Sequence, residues 1–488
     1  MSYQGEYANH KSAVDLLNEL NNSENTHLSE FFKNITVFPE FINPEQRIDK
    51  FQFNKTKPSI GQSHLKNIYT LDGSLYISPT QTNTAGANIG IIKITQTQIS
   101  LEKLIAFSSA KFPNPQDYQK ISIKESFYFP LPGGKVYGPN HLAPLDFFRK
   151  TFFESFTSYT PTSHFFSHLF PEPSAFKPKT LLYSYTNSLS LKDINVSHPC
   201  PHCNQNFHKL SLKSFYDEDE ELQFIHQCEH NTELYITDLL GFHDGWSDVE
   251  NPRGFYTQIM NFYEKMIFIN FLHNLYINLD SSQFKTYLRE NAFVLDGPLA
   301  LFNNTAWLSH YISEQLLRFN EYQEGIFIGI EKTGDFVEHL VFLDNQIKNQ
   351  EIKNNKDITP IGLNPGFLFF LNDEYIKKEI KHIQTELPYG KGQYFGKKFY
   401  YKNHLGDLFV INKAFSNGED KLQIDSNDSS YLESQTRLDD ICWILESFSS
   451  KQFSNALSIL SIAHENTAIP NTPFAQDLFQ NFLKNKLK

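Results

Sequence analysis

The sequence predicts an α/β chain, on three observations. Runs rich in β-branched and aromatic residues alternate with amphipathic stretches of helical period, two of those runs end in Asp-Gly, and the composition is that of a folded domain. With 488 residues, 40% of them hydrophobic and 46 of them Phe, the chain can bury a large core, which excludes a disordered protein. The length suits two or three domains, or one large domain carrying insertions.

Taken in order, residues 12–33 (SAVDLLNELNNSENTHLSEFFK) read as one or two amphipathic helices opened by Ser12, inside an N-terminal helical segment spanning 1–50. From 66 to 100, NIYTLDGSLYISP and ANIGIIKITQTQIS are β-rich runs separated by the polar TQTNTAG, which predicts a hairpin or meander. A looser stretch follows to about 140. Its Gly133-Gly134-Lys135 lacks the phosphate-loop spacing and a following Ser or Thr, so a nucleotide-binding loop is rejected. Residues 141–175 are Phe-rich and helical in pattern, and 180–190 read as a strand. The segment 254–278 predicts a long apolar helix, too polar at Glu264, Lys265 and His273 to span a membrane. NAFVLDGPLALF supplies the second strand ending in Asp-Gly; a helix over 304–319, the strand GIFIGIEKTG, a hairpin in YFGKKFYYKNHLGDLFVINKAF and helices at 437–447 and 453–468 complete the chain.

The formal net charge of −12 argues against a protein that coats nucleic acid indiscriminately. It leaves room for an enzyme with a local basic path and an acidic centre, because a net charge averages over both. The N-terminal residues lack a basic start followed by an apolar core, no apolar run reaches the roughly 20 residues of a membrane span, and cysteines are few. A cytoplasmic, reducing setting is expected.

Asp72 and Asp296 each close a hydrophobic run just before a glycine, so both can project from one edge of a sheet. Two carboxylates a few ångströms apart repel each other, and a hard divalent cation relieves that repulsion. Mg²⁺ or Mn²⁺ held this way serves phosphodiester cleavage. Lys332, at the end of IFIGIEK, falls near the same edge, where an ammonium neutralises a phosphate. Lys391, Lys397, Lys398 and Lys402, interleaved with Tyr394, Phe399, Tyr400 and Tyr401, match either a strand-binding surface or a plain amphipathic hairpin. Residues 198–232 differ from their surroundings. They hold three of the four cysteines, and Cys200, Cys203, Cys228 and His230 give four ligands for a structural, tetrahedral Zn²⁺, with His202, His208 and His226 as competitors.

The ordered set YTLDGSLYISP with ANIGIIKI, FVLDGPLALFNNTAWLSHYI, GIFIGIEKTGDFVEHL, YFGKKFYYK and SILSIAHENTAI resembles the NurA nuclease family, from about residue 45 to the C-terminus. The resemblance implies an RNase H-like mixed sheet flanked by helices over 51–488, with the zinc-ribbon-like module of 198–232 inserted. It also implies Mn²⁺- or Mg²⁺-dependent exonuclease and single-strand endonuclease activity on DNA. Family members form homodimers and work with HerA, a hexameric DNA-translocating ATPase, at DNA ends; repair and antiphage defence are both compatible settings. Motif by motif, Asp72 matches the first metal-binding aspartate, Asp296 the later one, Glu264 the acidic residue on the preceding helix, and His464 the C-terminal histidine. For Glu264 a solvated helix-face carboxylate, and for His464 a satisfied core histidine, are the plainer readings. One departure is that the family often carries a tyrosine ahead of that histidine, where this chain has Phe453 and Asn455. The other reading of the whole is a catalytically silent adaptor subunit of a translocase or defence assembly.

Overall fold

Hydrophobic alternation sorts the strands into one large sheet with two covered faces. In a computed structural model the described residues are 63–79, 87–109, 120–166, 169–170, 172–189, 197–201, 209–216, 221–227, 232–249, 253–355, 358–416, 435–450, 455–469 and 481. All fall in the compact unit Gln52–Lys488, and the helices expected in 1–50 lie outside the described residues.

The strands are β1 (Asn67–Pro79), β2 (Asn88–Ser100), β3 (Ser122–Pro132), two short pairs β4 (Ser197–Pro199) with β5 (Lys209–Ser211) and β6 (Ile225–Gln227) with β7 (Glu233–Tyr235), then β8 (Asn291–Asp296), β9 (Ile326–Glu331), β10 (Leu368–Phe370), β11 (Gly396–Lys402) and β12 (Leu408–Ala414). Eight of them form a mixed sheet in the order β10-β11-β12-β9-β8-β1-β2-β3. β1, β8 and β9 run parallel at its centre, flanked by antiparallel strands on both sides. Central parallel strands are covered on both faces and so read as continuous apolar runs. Ala292, Phe293, Val294 and Leu295 are accordingly buried throughout.

The helices used below are α1 (Leu101–Ser109), α2 (Pro144–Ser158), α3 (Leu181–Leu189), α4 (Arg253–Asn278), α5 (Ser281–Glu290), α6 (Leu308–Phe319), α7 (Asp335–Asn354), α8 (Leu438–Ser447) and α9 (Ser458–Thr467). Successive strand residues feed opposite cores. Tyr69, Leu71, Phe293, Leu295 and Phe327 share one core with α4, whereas Ile68, Val294, Ile328 and Ile330 share the other with Ile441 and Leu445 of α8 and Leu460 of α9. Arg149 of α2, buried, donates to Asp238 from Nε at 3.0 Å and from Nη2 at 2.6 Å, which fixes the β7 segment to the first of these layers.

Two expectations change. The stretch 180–190 is helix, not strand: the Thr180 hydroxyl accepts from the Tyr183 N–H at 3.1 Å and Asn270 of α4 donates to the Thr180 carbonyl at 2.8 Å, so a cap and a neighbour override β propensity. The looser stretch after residue 100 contains α1 and β3, and β3 completes the meander as an edge strand whose half-exposed residues blur the apolar alternation. The described part of the cysteine segment packs on the main core, where Cys200 lies with Leu212, Phe215 and Tyr235. The other proposed zinc ligands, Cys203, Cys228 and His230, lie outside the described residues.

Candidate active site

The parallel register sets the two aspartates side by side. Leu71 of β1 pairs with Leu295 of β8, so the next residues, Asp72 and Asp296, are neighbours on adjacent strands. Asp296 ends β8; Gly297, at φ +93°, turns the chain away while its N–H donates to the Ile330 carbonyl at 2.8 Å.

Asp72 does not close its strand, contrary to the expectation that the run ends there. β1 runs on to Pro79, with Asp72 opposite Thr95 and Gly73 opposite Ile94 of β2. Gly73 serves another purpose: a Cβ there would lie 2.5 Å from Glu264 Oε1 and 2.7 Å from Met260 Cγ. The glycine makes room for α4 to bring Glu264 against β1. By alternation Asp72 and Asp296 look toward the face covered by α8 and α9, so the third carboxylate arrives from the opposite face. Gly73→Ala is therefore expected to overpack the contact and lower stability by about 1–3 kcal/mol. This would be read as a lower urea midpoint at unchanged slope, and an unchanged midpoint would contradict the close approach.

The carboxylates perturb one another. Burial pushes Glu264 up to about 7; Lys265, with Nζ 3.4 Å from Oε2, opposes the rise, and the charges of Asp72 and Asp296 add to it. Asp72 is likewise raised, by burial first and by the charge of Asp296 second, with His464 opposing. Each aspartate also meets a nitrogen partner: Lys332 Nζ lies 2.6 Å from Asp296 Oδ2, and His464 Nδ1 lies 3.1 Å from Asp72 Oδ2. His464 is 72% exposed, so it is not a core histidine, and Glu264, 6% exposed, is not a solvated helix-face carboxylate.

Asp296, Lys332 and His464 open onto a cavity of about 640 Å³. On its other side Asp296 joins Lys265, Asn261 and Asn304 around a space of about 400 Å³. The structure thus gathers Asp72, Glu264, Asp296, Lys332 and His464, and it separates much of the lysine-aromatic cluster from solvent. Phe399, Tyr400 and Tyr401 are fully buried, Lys398 pairs with Glu331, and Lys402 lies 2.8 Å from Asp344 Oδ1. β11 lies within the sheet, and its residues from Lys398 to Lys402 are buried. Lys391, Lys397 and Tyr394 border a further cavity. Glu331 escaped the sequence reading although it carries the same signal as Asp72 and Asp296, a charge at the end of an apolar run. Lys381 and Tyr389, also on the site cavity, have no such signal.

Among the described residues, no group of three or more His, Cys, Asp or Glu side chains is gathered closely enough to hold a metal ion as placed. The chemistry of the donors nonetheless fits a hard divalent cation: Asp72 and Asp296 offer oxygens from adjoining strands, and their mutual charge raises Asp72 and Glu264. Among known proteins, no family model and no curated protein matches the chain.

Proposed function

We propose that the protein is a metal-dependent DNA nuclease of the NurA kind, built on an RNase H-like core. The observation that carries this reading is the placement of Asp72 and Asp296 on adjacent parallel strands, with Lys332 and His464 at their oxygens and Glu264 behind Gly73. Asp72, Glu264 and Asp296 would hold Mn²⁺ or Mg²⁺. When bound, that ion supplies Lewis acidity toward a phosphoryl group and makes water a better nucleophile. Lys332, on the cavity wall, meets phosphate oxygens as a point charge. An ionised Asp72 accepts from Nδ1–H of His464, which fixes the imidazole at the wall of the site cavity.

The same reading assigns DNA as substrate, with exonuclease and single-strand endonuclease action at DNA ends in repair or antiphage defence. It further assigns a homodimer, a HerA-type hexameric ATPase as partner, and a structural Zn²⁺ on Cys200, Cys203, Cys228 and His230. One observation favours a silent adaptor instead: the Lys332 ammonium already sits on Asp296, where a metal ion would compete with it. End-labelled single- and double-stranded DNA, incubated with Mn²⁺ or with chelator, separates the two. Cleavage in Mn²⁺ and none in chelator is expected; intact DNA under both conditions leaves the adaptor.

A further inference from the structure

Two cavities adjoin across a pair of tyrosines. The one at the acidic edge and another of about 580 Å³ share Tyr389 and Tyr394 in their walls, and the two rings lie 6.0 Å apart at 34°. This ridge is a constructed feature. Gly390 and Gly392 take φ +68° and +78°, and the Tyr394 N–H closes the turn on the Gly390 carbonyl at 3.1 Å. The turn is tied to the segment that leaves Asp296, since the Leu301 N–H donates to the Gln393 carbonyl and the Phe395 N–H to the Leu299 carbonyl, each at 3.0 Å. The ridge therefore keeps a fixed place relative to the acidic edge.

The far cavity carries Lys391 and Lys397, and Ser313 of α6 lies in its wall. Cavities of this volume each suit a group of nucleotide size. Aromatic faces stack on any base, and lysines pair phosphates without reading sequence.

We propose that a single strand of nucleic acid crosses the Tyr389–Tyr394 ridge. Its phosphates meet Lys391 and Lys397, one base occupies each cavity against the tyrosines, and the following phosphodiester reaches Asp296 and Lys332. This path rests on the nuclease reading, but its test does not require cleavage. Fluorescence anisotropy in chelator follows binding of a labelled oligothymidylate about twelve nucleotides long. The double variant Lys391→Gln/Lys397→Gln is expected to bind about tenfold more weakly, with the slope of log K against log salt smaller by about 1.4, the loss of two phosphate contacts. Tyr389→Ala is expected to lose about tenfold, and Tyr389→Phe, which keeps the ring, to restore most of it. An unchanged affinity and slope in the double variant would overturn the path, as would equal wild-type affinity for a blunt duplex of the same length. If the wild type cuts no DNA in Mn²⁺ while these binding losses appear, the nuclease reading fails and the strand path stands.

Discussion

Asp72→Asn and Asp296→Asn each lower Mn²⁺-dependent cleavage of linear DNA by about a thousandfold, because removing one charged ligand forfeits several kcal/mol of transition-state stabilisation at about 1.4 kcal/mol per decade. The amides keep the shape of the carboxylates and can still accept from Lys332 or His464, so the fold is retained. Stability should hold or rise, since each substitution removes one of two neighbouring charges whose repulsion raises Asp72. Cleavage assays paired with urea midpoints test both halves. Wild-type cleavage by either variant removes the nuclease reading, whereas a large fall in midpoint would mean that the aspartates hold the fold rather than the chemistry.

Glu264→Gln stabilises the metal-free protein at alkaline pH and leaves it nearly unchanged in mild acid. In the folded protein Glu264 titrates at about 7, against an ordinary 4.5. Below the ordinary value both states are protonated and the stability is fully present. As pH rises from there through about 7, the unfolded chain ionises freely while the folded chain must bury a charge, and stability falls. A displacement of that size corresponds to about 3 kcal/mol, all of it lost above the folded value. Glutamine never ionises, so melting temperatures of variant and wild type should converge near pH 4.5 and separate toward pH 8. Mn²⁺ should raise the melting temperature of the wild type more than that of the variant, because binding to the folded state alone stabilises it. Parallel pH profiles would show that Glu264 is solvated.

What the sequence disclosed follows from range. Asp72 and Asp296 sit in Asp-Gly pairs that are common by themselves and gained weight from the family resemblance, whereas the central strands are legible because burial on both faces leaves unbroken hydrophobic runs. That the two aspartates are neighbours depends on a parallel pairing between residues more than 200 positions apart, such as Leu71 with Leu295, which no local pattern encodes. Glu264 and His464 were reached only through family resemblance, since an acidic residue on an apolar helix and a histidine in a tail carry no spacing of their own. Where local rules were applied to Gly73 and to 180–190, tertiary contacts had the last word: a carboxylate leaning on a strand in one case, and Asn270 holding the start of α3 in the other. Lys398 and Lys402 of β11 were legible as charges but not as inward-facing ones, because their partners Glu331 and Asp344 come from distant elements.

One residue at the site matters by its size and has no chemistry of its own. Position 73 gauges the interval between helix and strand by having nothing there. An aspartate can be exchanged for its amide without altering any shape, but a single methyl group at 73 would have to be met by a shift of the Glu264 and Met260 side chains.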